Sequence, residues 1–222
     1  MSDLSLVLAS GSPRRRQLLA LAGWEFTVRP ADVDESLLPG ERPEAYVLRL
    51  AKAKAQACAG SVKSDQVILG ADTTVADGNI ILGKPRDAED ARNMLLRLRG
   101  HTHQVLTGLA LLRAADGNLI TDLCVTSVPM RLYRDEEMDA YIASGDPLDK
   151  AGAYAIQHAL FHPVIEFSGC YASVMGLALC HLTRSLQKLG YPPQNDIPRA
   201  CQSGLAYTCP IFPAVLSGEM AG

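Results

Sequence analysis

The stretch QVILGADTTVA, Gln66–Ala76, sets an aspartate inside an apolar, β-branched run. Val, Ile and Thr suit a pleated, half-buried surface, so this run predicts a strand. Asp77-Gly78-Asn79 follows and suits a hairpin turn into Ile80–Leu82. Asp72 therefore lies within or at the end of an apolar strand. A carboxylate there needs a partner: a metal, a lysine or a water to activate. Gly83-Lys84-Pro85 stands at the far side of the hairpin and brings Lys84 to the same end as Asp72. A structural ion pair between the two is an equal alternative.

Outward from this strand, short apolar runs alternate with amphipathic segments, the pattern of an α/β or α+β domain. Upstream, Leu4–Ala9 reads as a strand and Ser10-Gly11-Ser12-Pro13 as a turn. Ser12 is placed to cap the next helix, with Pro13 at its first position. A second helix covers Pro43–Ala59. Downstream, helices are predicted at Ala88–Leu98, Asp135–Ser144 and Val174–Leu189. Strands are predicted at Gln104–Arg113, Leu119–Tyr133 and Tyr154–His158. Residues 1–190 form one catalytic domain in this reading. Tyr191-Pro192-Pro193-Gln194-Asn195-Asp196 then breaks regular structure, and 191–222 is a cysteine-containing C-terminal extension.

The chain has 222 residues, of which 48% are hydrophobic and 20% charged, enough to bury a core. Its formal net charge of −3 supplies no bulk field for nucleic acid. Met1–Val7 lacks the basic start of a secretory signal, and no run approaches the roughly 18 apolar residues of a membrane span. The expectation is a soluble, cytoplasmic protein without nucleic-acid or membrane partners. Four of its cysteines, Cys170, Cys180, Cys201 and Cys209, fall late in the chain at spacings that match no zinc pattern.

Helical geometry locates the cations. In the first helix, Leu18, Leu19, Leu21 and Ala22 share an arc at about 100° per residue, with Arg14 and Arg15 at its edges and Arg16 pointing away. Cations near a helix N-terminus are unfavourable, a conflict that a bound polyphosphate resolves. A solvated basic turn is the even alternative. In the second helix Lys54 falls at about −20° from Val47, in the middle of the apolar arc, while Lys52 points to solvent. Inward lysines are rare unless paired, so Lys54 aims at phosphate or carboxylate, with a lysine snorkelling from the helix end as the alternative. Asp32-Val33-Asp34-Glu35 offers hard oxygen ligands of the kind Mg²⁺ takes, although alone it reads as an ordinary acidic loop. Inward cations, inward carboxylates and a helix terminus together are the equipment of phosphoanhydride chemistry. Neither a P-loop nor a dinucleotide-binding glycine motif is present.

ASGSPRRRQLL (Ala9–Leu19), RLAKAKA (Arg49–Ala55), LGADTTV (Leu69–Val75), GKP (Gly83–Pro85) and DKAGAYAIQ (Asp149–Gln157) resemble, in order and spacing, the Maf family of nucleotide pyrophosphatases. The resemblance implies a two-lobed, inosine-triphosphatase-like α/β fold with a mixed twisted sheet and a central cleft, often dimeric. It implies hydrolysis of a nucleoside triphosphate to monophosphate and pyrophosphate with a divalent metal, Mg²⁺ or alternatively Mn²⁺. By family position Asp72 is the general base or water organiser and, with Glu35, the metal ligand. Arg14, Lys54 and Lys84 hold phosphates, and Ser10 lines the phosphate loop, next to Arg15. The trio Arg14, Thr73 and Gln157 is similar to members acting on dTTP and UTP. The chain departs from many relatives at His158-Ala159-Leu160-Phe161-His162 and at Ala178, changes that bear on the base pocket. A nucleotide-binding regulator with little turnover is the alternative reading.

Overall fold

The computed structural model describes residues 5–222. Leu4, the first residue of the first predicted strand, lies outside them. The observed elements are β1 (Ser5–Leu8), α1 (Pro13–Leu21), β2 (Phe26–Val28), α2 (Pro43–Ala57), β3 (Gln66–Asp77), β4 (Ile80–Leu82) and α3 (Ala88–Leu98). They continue as β5 (Thr102–Arg113), β6 (Leu119–Pro129), α4 (Asp135–Ala143), α5 (Tyr171–Met175), α6 (Leu179–Lys188), α7 (Ile197–Leu205) and α8 (Phe212–Leu216). Six strands form one mixed sheet in the order β2-β1-β3-β5-β6, with β4 also on β3. β1 runs parallel to β2 and β3, while the β3, β5 and β6 pairings are antiparallel.

The edge of β3 changes partner partway along. β1 pairs with it from Gln66 to Leu69, and β4 takes over only at Val75. Between those points Gly70–Thr74 carries no strand on that edge among the described residues, and a gap opens at the C-terminal end of β1. Gaps of this kind are where ligands enter open α/β sheets. Helix α2 lies almost against the backbone beneath the gap. A Cβ at Gly70 would strike the Ala51 carbonyl, and one at Gly108 would strike that of Val47. Gly108 is the cross-strand partner of Asp72, so these two glycines let α2 sink to the depth that delivers Lys54 to Asp72.

Two apolar clusters flank the gap. One packs Leu18 and Leu19 of α1, Leu69 and Ala71 of β3, and Leu179, Leu182 and Leu186 of α6. The other gathers Val75, Leu95, Leu98, Met138, Tyr141, Tyr154 and Phe161. The chain is therefore two-lobed, with helices on a twisted mixed sheet and a cleft between lobes.

Three elements differ from their prediction. The segment 154–158 forms turns rather than a strand. Gly152 turns it aside with φ of 69°, and the Ala155 N–H donates to the Tyr141 hydroxyl instead of to a strand. The predicted helix 174–189 is divided into α5 and α6 by Gly176, whose φ of 118° no helix accommodates. β6 stops at Pro129 rather than reaching Tyr133, because its partner β5 begins at Thr102, opposite Pro129, and the Arg131 N–H turns instead to Pro163 O at 2.9 Å. The segment after Gly190 folds into α7 and α8. Asp196 caps α7 by accepting from the Arg199 N–H at 3.1 Å, and Ile197 is buried in the first core.

Candidate functional site

The inter-lobe cleft has a volume of about 660 Å³ and is lined by Ser10, Arg14, Arg15, Glu35, Lys54, Asp72, Thr73, Lys84 and Gln157. Every site residue predicted from sequence faces this one space. That volume lies in the usual range of small-molecule sites, roughly 300–1,000 Å³.

Asp72 and Lys54 form its floor. Both are buried, 7% and 8% exposed, and Lys54 Nζ lies 2.6 Å from Asp72 Oδ1. The same ammonium lies 2.6 Å from Glu35 Oε1, so one lysine bridges two carboxylates. The second oxygen of each carboxylate, Asp72 Oδ2 and Glu35 Oε2, accepts no hydrogen bond among the described residues. Burial pushes the Asp72 carboxyl above its ordinary value. The pull of Lys54 and Arg15 opposes this without cancelling it, and the Glu35 charge adds to the rise.

Of the three acidic-loop carboxylates, Glu35 alone lines the cleft. Asp34 accepts from the Ser36 N–H at 2.9 Å, a local turn that uses it up. The loop is strapped to α2: Tyr46 donates to the Glu35 carbonyl at 2.9 Å, and Arg49 to Ser36 O at 2.9 Å while gripping Glu41 at 2.6 and 2.7 Å. Tyr46 and Arg49, unassigned from sequence, thus fix where Glu35 stands.

The arginines divide as their helical angles predict. Ser12 caps α1 by accepting from the Arg15 N–H. Arg15 turns inward and donates to Gly176 O at 2.9 Å, Ser10 Oγ at 3.0 Å and Thr73 Oγ1 at 3.3 Å. Arg14 faces the cleft 3.6 Å from Asp149, and Arg16 is exposed. Asp72 and Thr73 project from opposite faces of β3, yet both reach the cleft because the strand edge between them and β4 is bare. Lys84 is exposed on the cleft wall and is not the partner of Asp72; Lys54 is. Gln157 stands exposed at the mouth. Lys150 and Tyr154 also line the cleft. They fall inside the quoted motif DKAGAYAIQ, but an irregular segment offers no periodicity from which to infer a facing.

The late cysteines converge elsewhere, on a small apolar cavity lined by Cys170, Cys180, Cys201 and Cys209. Burial raises the Cys180 thiol to about 12 and that of Cys201 to about 11, so both remain protonated. Among the described residues no three His, Cys, Asp or Glu side chains are grouped to hold a metal. No helix among them is long and apolar enough to cross a membrane.

The Maf-like protein family model matches residues 5–189. The dTTP/UTP pyrophosphatase of Anaeromyxobacter dehalogenans (strain 2CP-C) is 49% identical over 189 residues, covering 84% of this chain and 95% of its own. That of Geotalea uraniireducens (strain Rf4) is 47% identical over 186 residues, with the same coverage of 84% and 95%. That of Hahella chejuensis (strain KCTC 2396) is 48% identical over 193 residues, covering 86% and 95%. Among solved structures, the Staphylococcus aureus Ham1 protein overlaps 57% of this chain and 71% of its own at 16% identity and a TM-score of 0.41, too little to carry structural detail over.

Proposed function

This chain belongs to the Maf-like protein family, and on that premise we propose that it hydrolyses a nucleoside triphosphate, dTTP or UTP, to the monophosphate and pyrophosphate. The observation that carries this reading is the Lys54 bridge between Asp72 and Glu35 at the bare edge of β3. It holds a carboxylate ionisable yet short of partners, within reach of bound substrate.

Asp72 takes a proton from the attacking water as the water oxygen bonds to a phosphorus of the α–β anhydride and the bridging P–O bond breaks, releasing monophosphate and pyrophosphate. Its raised pKa makes it a better acceptor than an ordinary aspartate near neutral pH. Lys54 orients Asp72 and carries positive charge into the cleft floor. Arg14 and Lys84, both at the cleft wall, neutralise phosphate oxygens. Arg15 braces Ser10 and Thr73, so the loop before α1 keeps its N–H groups aimed at anionic substrate. Gln157, able to donate and accept, reads the pyrimidine edge.

A divalent metal fits here: Asp72 Oδ2 and Glu35 Oε2 are hard oxygens without partners among the described residues, and Mg²⁺ takes one or two carboxylates plus substrate phosphates. Bound there, Mg²⁺ or Mn²⁺ would supply charge neutralisation to the polyphosphate. The reading includes a cytoplasmic, homodimeric enzyme whose catalytic unit spans residues 1–190, with 191–222 as an appended segment.

The test is pyrophosphate and monophosphate production from a panel of nucleoside triphosphates with Mg²⁺. Turnover greatest for dTTP or UTP supports the proposal. Tight binding without product turns it into the regulator reading, and absence of both overturns it.

A further inference from the structure

Lys150 is the second buried cation of the cleft, 8% exposed, and none of the roles above uses it. Its ammonium has three hydrogens and three short acceptors. It lies 2.6 Å from Asp146 O, 3.0 Å from Asp146 Oδ1 and 2.6 Å from Asp149 Oδ1. A lysine so saturated has nothing left to offer a phosphate. What it does hold is the segment 146–157 on which Gln157 rides.

Each end of that network reaches a cleft residue. Asp149 Oδ2 lies 3.6 Å from Arg14 Nη1. Asp146 Oδ2 accepts from the Tyr141 hydroxyl at 2.8 Å, and Tyr141 in turn accepts from the Ala155 N–H at 3.0 Å, two residues before Gln157. The Gly152 N–H donates to Gly83 O at 3.0 Å and so ties the segment to the residue before Lys84. Tyr141 is itself fixed by ring stacking on Phe161, centroids 4.3 Å apart, and by the edge contact of His158 at 4.6 Å. Those two rings belong to the irregular stretch His158–His162, and they serve as backing for the network.

Building on the nucleotide reading, we infer that Lys150 is a positioning residue for nucleotide recognition, setting Arg14 and Gln157 in register through Asp149 and the Asp146–Tyr141–Ala155 link. It orders the groups that read base and phosphate without touching either.

The experiment measures the dissociation constant of a non-hydrolysable α,β-methylene UTP and, in parallel, the kinetics with UTP and with ATP as mismatched base. Lys150→Met and Asp149→Asn are both used. Asp149→Asn keeps the lysine on Asp146 and guards against a variant that fails to fold. The expected result is analogue binding weakened on the order of 10–100-fold in Lys150→Met and less in Asp149→Asn, the scale of small misplacements. KM rises more than kcat falls, UTP loses its lead over ATP, and Lys150→Arg restores part of the affinity. Wild-type affinity and base preference in folded variants overturn the inference. So does a Lys150→Met that loses kcat beside an unaffected Asp149→Asn, which would put the ammonium on phosphate itself. If the wild-type protein binds the analogue but hydrolyses no triphosphate, the hydrolase reading fails while the binding arm still decides on Lys150.

Discussion

Two buried aspartates, Asp72 on β3 and Asp122 on β6, each face a buried cation, and they sit in opposite electrostatic states. Asp122 is saturated. Arg184 grips it at 2.6 Å on both oxygens, Ser185 donates at 3.0 Å and the Leu123 N–H at 2.9 Å. Burial pushes its carboxyl up, but the Arg184, His181 and Ser185 interactions outweigh that and leave it below the ordinary value. Asp72 has one lysine on one oxygen, shared with Glu35, and its carboxyl is raised. Burial pushes both carboxyls up; what separates the two is how far countercharge and hydrogen bonds offset it.

Arg184 shows what the saturated pair is for. It also donates to Val215 O at 3.2 Å and Glu219 O at 2.6 Å, fastening the end of the chain to α6. The Asp122 pair holds structure, and the Asp72 pair is the one to which we assign the proposed chemistry.

Mutations can break that contrast. The largest effect is expected from Asp72→Asn, which removes the proposed proton acceptor and should lower kcat by roughly 10²–10⁴-fold. Its thermal midpoint should move little, as checked by calorimetry beside the pyrophosphate assay. Asp122→Asn leaves Arg184 buried without its countercharge and should cost about 3–5 kcal/mol in urea denaturation. Turnover per folded molecule should stay near wild type. Gly176→Ala sharpens the picture between these extremes. Forcing a side chain into φ of 118° should cost about 1–2 kcal/mol and shift the carbonyl that holds Arg15. A several-fold rise in KM is the kinetic sign to look for. Arg16→Ala, exposed and facing away, should change stability by less than about 0.5 kcal/mol and leave the kinetics alone. A large kinetic effect there would show that the helical sorting of the three arginines is wrong.

What was legible in the sequence follows the same division. Lys54, and Arg14 and Arg15 over Arg16, are legible because a helix has a period, and a charged residue on or beside the apolar arc stands out against it. Asp72 stood out in the same way within an apolar strand. Asp122 did not, because its partner Arg184 lies 62 residues away and only packing of α6 on β6 brings them together. Lys150 and Tyr154 escaped notice because their segment is irregular, its hydrogen bonds closed by Tyr141 and Gly83 rather than by a ladder. The break between α5 and α6 needed a left-handed Gly176, and an isolated glycine in an apolar run is equally compatible with an unbroken helix. Of the acidic loop, Glu35 was singled out only by resemblance. Its selection over Asp34 rests on the straps from Tyr46 and Arg49, which no local pattern encodes.

The most direct test is a site-resolved carboxyl ¹³C NMR titration of Asp72 and Asp122, assigned by loss of each signal in its Asn variant, alongside the pH profile of kcat. The ordinary value for an aspartate side chain is 3.8. In the metal-free protein Asp72 should titrate above it and Asp122 below, and the acid limb of kcat should follow Asp72 as titrated with the Mg²⁺ of the assay. The linked stabilities carry opposite signs. The Asp122 contribution is present above 3.8 and lost as pH falls through its depressed folded value. Asp72, with a raised folded value, binds its proton more tightly folded than unfolded, so acidification through that window favours the fold. Asp72 titrating at or below Asp122, or a kcat indifferent to its titration, would contradict the assignment of Asp72 as the base.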